Sequence, residues 1–103
     1  MHYTTKNMLV QNLEGTADNP APDSCNSWIE YWEKATGEKA RICHRLHCLS
    51  TQNLVGAHVK LDKSYEDNRQ WIVPLCQSCN CKQEKFEVEG PLVWVGNPSV
   101  ILK

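Results

Sequence analysis

The sequence predicts a small α+β domain, on three observations: one helix with both ends marked, two β-prone segments joined by a polar turn, and two pairs of closely spaced cysteines. At 103 residues the chain has the length of one domain. So short a chain buries only a modest share of its surface, which makes a metal staple a useful source of stability. The expected layout is a single domain, 1–103, in four parts: an N-terminal strand and loop over 1–24, a capped helix over 25–37, a cysteine-bearing unit over 38–85 and C-terminal strands over 86–103.

Met8 to Leu13 suits a short strand, and residues 14–24 (EGTADNPAPDS) are rich in Pro, Asp, Asn and Gly, which makes a loop. Ser27-Trp28-Ile29-Glu30 has the form of a capping box, with serine at the N-cap and glutamate three residues on. Trp28, Ile29, Trp32 and Ala35 then share a helical face, and Gly37 supplies the stop. A helix over 28–36 follows, with both tryptophans expected in the core.

Ala40 to Cys48 is expected to form a strand and a knuckle. Leu54 to Leu61 (LVGAHVKL) and Trp71 to Leu75 (WIVPL) suit the two strands of a hairpin, with the polar DKSYEDNRQ segment turning the chain between them. Cys76 to Lys85 can begin a helix. Phe86–Val88 and Leu92–Val95, separated by Gly90-Pro91, are expected to pair as a final hairpin.

Six cysteines in so short a chain need an explanation. The N-terminal MHYTTKNMLVQNL has one lysine and a three-residue apolar run, unlike a secretory signal peptide, and no apolar run approaches the ~20 residues that cross a bilayer. The expected location is therefore the cytoplasm, where reduced thiols bind metal more often than they form disulfides. Cys76 and Cys79 are separated by two residues, Cys43 and Cys48 by four, both within the range that lets two thiolates face one ion. Together they predict a closed, structural zinc site. Cys25 and Cys81 are expected to stay outside it, since Cys25 has no close partner and positions 79 and 81 diverge on a helix. His44 and His47 lie in the first knuckle and either can replace a cysteine, but four thiolates already complete the set.

The net charge of −1 carries no global sign of nucleic-acid binding, but its distribution is uneven. Residues 39–85 hold eight Lys or Arg against four acids, and the remainder holds three against eight. The cysteine-bearing centre is mildly basic.

Cys-x4-Cys, then Gly56-Ala57-His58-Val59, then Ile72-Val73-Pro74-Leu75-Cys76-Gln77-Ser78-Cys79-Asn80, resembles the HNH endonuclease-like treble clef of small bacterial and phage proteins, over residues 41–85. The resemblance implies a zinc-bound ββα unit beside a nuclease site. His58 falls on the family's general base, and Asn80 falls where a catalytic divalent ion, Mg2+ or Mn2+, would be held. Such chemistry suits a neutral imidazole near pH 7. The chain departs from the pattern at two places: the Asn that orients the base would fall at Trp71, and the acid often found before the histidine is Ala57. Asn68 stands three residues before Trp71 and would face differently. A packed structural histidine at 58 and a turn residue at 80 are the bland alternatives. Three function classes follow: a metal-dependent nuclease, a DNA- or RNA-binding zinc module that has lost cleavage, and a zinc-stabilised protein-interaction module or phage accessory factor.

Overall fold

A computed structural model describes residues 3–4, 6–13, 21 and 25–95, so most of the loop expected over 14–24 and the chain beyond 95 lie outside the described residues. The fold is mixed α/β. Its elements are β1 (Tyr3–Thr4), β2 (Met8–Asn12), α1 (Trp28–Thr36), β3 (Leu54–Leu61), a 3-10 turn (Lys63–Tyr65), β4 (Gln70–Cys76), α2 (Gln77–Asn80), β5 (Phe86–Val88) and β6 (Leu92–Val95). The strands form one antiparallel sheet in the order β1-β6-β4-β3-β2-β5.

The β3–β4 hairpin is the backbone of the sheet, paired from Leu54↔Cys76 to Lys60↔Gln70. Alternation sends Ala57, Val59, Leu61, Trp71, Val73 and Leu75 into one core with Val10, Phe86, Val88 and Leu92. Ile72 and Val93 face the other way, against Trp32 of α1. Pro74 is tolerated in β4 because its carbonyl accepts from the His44 N–H (2.9 Å), outside the β3 ladder. In an antiparallel strand a residue's N and O point to the same side, so the missing N–H also falls there.

Helix α1 has the predicted bounds. The Ser27 hydroxyl accepts from the Glu30 N–H (3.2 Å), and Gly37 takes a left-handed φ of 76°. The Glu30 carboxylate turns to Lys34 (3.1 Å) and to Asn26, which together lower its pKa, so the box is not reciprocal. Trp32 is fully buried and its Nε1–H donates to the Pro91 carbonyl (2.8 Å). Tyr31, overlooked in the sequence, packs on the same cluster and donates to the Trp94 carbonyl, whereas Ala35 is exposed.

Three expectations need correcting. Ala40 to Cys48 forms no strand: Cys43 N–H bonds to Ser50, Cys48 N–H bonds to Arg45, and His47 has a φ of 70°, all of which fold the segment into a knuckle. Residues 44–46 still run beside β5, through an Arg45↔Val88 bridge and the bonds Leu46 N–H to Glu87 O and Glu89 N–H to His44 O. The helix expected from Cys76 is one turn: the Cys81 and Lys82 N–H groups turn to carbonyls three residues back, and the Asn12 amide donates to the Cys79 and Lys82 carbonyls (2.9 Å each). The C-terminal hairpin does not exist: β5 pairs with β2, while β6 pairs with β4 and β1.

That last arrangement has a geometric consequence. Four strand intervals separate β5 from β6, about 19 Å in a flat sheet. The chain from Val88 to Leu92 reaches about 14 Å at full extension. The sheet is therefore curled, with the larger core inside the curl.

Candidate metal centre and adjoining cleft

The knuckle brings Cys43 and Cys48 to the end of the β3–β4 hairpin, where β4 delivers Cys76 and the single turn of α2 delivers Cys79. All four sulfurs lie within 4.8 Å of one another. Cys48 Sγ is 3.8 Å from Cys76 Sγ and 3.6 Å from Cys79 Sγ. Those separations are far too long for a disulfide, whose sulfurs sit about 2.05 Å apart. They suit the corners of a tetrahedron around one ion, so the cluster can bind a metal.

Burial opposes ionisation of Cys76, yet hydrogen bonds from the Cys79 backbone N–H and from the other three thiols outweigh it and bring its pKa to about 7. Burial and the neighbouring thiols push Cys79 up to about 12, and burial raises Cys43 as well. A cation at the centre would draw all four towards thiolate.

The rest of the cysteine-histidine set falls outside the tetrad. Cys25 is half-buried just before α1 and Cys81 is exposed. His44 donates through Nδ1 to the Glu89 carbonyl (2.9 Å) and sets its ring against Trp32 at 5.2 Å. His47 is exposed on the knuckle.

His58 and Asn80 line one cleft of about 580 Å³, together with Ser27, Trp28, Gln77 and Cys81. His58 is buried, its ring against Trp28 at 4.6 Å, and burial lowers its pKa, which keeps the imidazole neutral. None of the described residues hydrogen-bonds that ring. Trp71 belongs to the core on the opposite face of the sheet, under the Arg69 guanidinium, which covers Trp71 at 4.9 Å and Trp94 at 5.0 Å and is held by Asp67 at 2.7 Å. The residue that faces His58 across the hairpin is Ile72. Among the described residues, the side chain that meets the imidazole is Trp28, edge to face. Asn68 lines a separate hollow with Lys63 and Lys85.

Sequence reasoning missed Asn12, which ties β2 to α2, and Gly56, whose bare Cα lets α1 approach. A Cβ there would sit 2.6 Å from the Ile29 nitrogen and the Trp28 carbonyl carbon. A glycine inside an otherwise β-prone run was the available signal for the second. Among the described residues, no helix is long and apolar enough to cross a membrane. In comparisons with family models, curated proteins and solved structures, none matches this chain, so its function must be argued from its own residues.

Proposed function

We propose that this chain is a zinc-bound, HNH-like domain that holds a nucleic-acid strand in the His58–Asn80 cleft without cutting it. Zinc is the natural occupant of four thiolates. A Zn–S bond of about 2.3 Å puts tetrahedral sulfurs about 3.8 Å apart, in line with the 3.6 and 3.8 Å separations here. Four thiolates leave no open position, so the ion is structural. The order of knuckle, hairpin and helical turn supports a treble-clef reading, although α2 is short for one.

The observation that carries the functional reading is the shared cleft. His58 comes from β3 and Asn80 from α2, and the zinc-bound junction holds the two elements together. The donor set does not suit a catalytic ion, however. Mg2+ and Mn2+ are hard ions held chiefly through carboxylates, and no carboxylate lines the cleft among the described residues. With Ile72 rather than an amide facing His58 across the hairpin, no cleavage step follows from this geometry.

Zinc-loaded protein is expected to contain one zinc per chain. It should bind fluorescein-labelled single-stranded DNA or RNA at low salt, and His58→Ala should weaken that binding. With Mg2+ or Mn2+, plasmid nicking should not exceed that of the His58→Ala protein. His58-dependent nicking would overturn the non-cleaving half of the proposal. Absence of binding at low salt would overturn the nucleic-acid half and leave the protein-interaction module, which one observation favours: Leu49, next to Cys48, is 72% exposed.

A further inference from the structure

A second hollow, of about 530 Å³, opens beside the His58 cleft and shares Leu13, Asn80 and Cys81 with it, so the two form one continuous depression. Its other walls are Gln11, Asn12, Lys60, Lys82 and Gln83. Two lysines and several amides face it, and no carboxylate lines it among the described residues. The acids begin on the far side of Gln11 and Lys60, which also line a third hollow with Asp62, Glu66 and Asp67, where Asp62 pairs with Lys85. The basic stretch is thus short and bounded.

Its spacing is set by the strand. His58 and Lys60 alternate onto the same face of β3, roughly 7 Å apart. Gln11 stands opposite Lys60 across the β2–β3 ladder, and its amide is tied to the Gln83 carbonyl (3.0 Å), which fixes one wall of the hollow. Asn12 fixes another by holding the carbonyls of Cys79 and Lys82. The walls are built by backbone pairing and side-chain amides, so the two ammonium groups project from a rigid frame.

We propose that this second hollow is a phosphate subsite, in which Lys60 and Lys82 take the phosphate next to the one at the His58–Asn80 cleft, on a single nucleic-acid strand and without a bridging divalent ion. The proposal rests on the nucleic-acid reading above and specifies its path. A strand spacing of roughly 7 Å is of the order that separates successive phosphates in an extended strand. Each hollow has the volume of a small-ligand pocket, room for a nucleotide. Trp28, on the wall of the first hollow, offers apolar surface to a sugar or base.

The test uses zinc-loaded full-length protein and a fluorescein-labelled 12-nucleotide single-stranded DNA, followed by anisotropy over a range of NaCl. The two lysines neutralise one phosphate between them and the uncharged His58 and Asn80 neutralise none, so the log–log salt slope on a single strand is about −0.7 and affinity should fall about 2.6-fold from 50 to 200 mM. Lys60→Gln and Lys82→Gln should each reduce that slope and the double variant should bring it close to zero, and Lys39→Gln, beyond the end of α1, should leave it unchanged. Added Mg2+ should weaken binding as a competing counterion. Binding that needs Mg2+, or a slope indifferent to both lysine variants while His58→Ala still weakens binding, overturns the subsite and leaves the broader reading standing. No binding by the wild-type chain at low salt overturns both.

Discussion

One side chain, Asn12, ties β2 to the end of α2. Its amide donates to two carbonyls, Cys79 and Lys82, which also settles which way round the amide lies, since the flipped form would set oxygen against oxygen. Asn12→Asp removes both donors and places a carboxylate against two carbonyls. The expected cost is roughly 2–4 kcal/mol, because partly buried acceptors lose their partners. A thermal melt against wild type measures it, and an unshifted melt would mean that water replaces the amide. Cys76→Ser should likewise cost far more than Cys25→Ser, since only the first takes a corner from the tetrad. His58 sets a pH dependence. Its folded pKa lies below the ordinary histidine value because burial disfavours the charged ring. The unfolded chain therefore binds more protons, and His58's contribution is complete above about pH 6.5 and lost progressively as pH falls below it. His58→Gln should flatten the stability-against-pH curve in that acid window; an unchanged slope would mean that the ring is hydrated.

At the scale of elements, what was legible in the sequence was local. The ends of α1 are set by Ser27 and Gly37, which act within their own turn, and the β3–β4 hairpin follows from two β-prone runs around a polar segment. Pairing of β5 with β2 was not legible, because it depends on the curl of the whole sheet rather than on the short connection between β5 and β6. The approach of α1 to β3 was half-legible, through Gly56. Gly56→Ala should force the first turn of α1 off the sheet, since its methyl would meet helix backbone that cannot swing aside. Overpacking of this kind costs roughly 1–3 kcal/mol. Fluorescence of Trp28 and Trp32 should shift to the red in that variant; an unmoved spectrum with a full loss of stability would place the damage in β3 instead.

For the whole molecule, the metal cluster was readable because both cysteine pairs are sequence-local and their spacing obeys ligand geometry. The depression beside it was not readable. Its walls come from β2, β3 and the segment after α2, and only the pairing of β2 with β3 and the Asn12 tie to the Cys79 and Lys82 carbonyls bring Gln11, Lys60 and Lys82 to one place. The tetrad ties the knuckle to the hairpin and α2. Removal of the ion by a chelator should therefore lower the melting temperature of the entire domain in one transition, since site formation and folding are coupled. Calorimetry with and without chelator checks this, and a separate small transition would show that the core survives on its own.

The pairing of residues 44–46 with 87–89 has a further consequence, for solubility. β5 is the last strand on its side of the sheet, and the knuckle occupies part of its outer rim through the Arg45↔Val88 bridge. An uncovered strand rim is a template for another copy of the same chain. An ion bound by the tetrad would thus also keep neighbouring molecules apart. On chelation, light scattering should rise with protein concentration before the far-ultraviolet signal of the sheet is lost, and a Leu46→Pro chain, which loses the Leu46 N–H bond to the Glu87 carbonyl and keeps all four cysteines, should scatter even when loaded with metal.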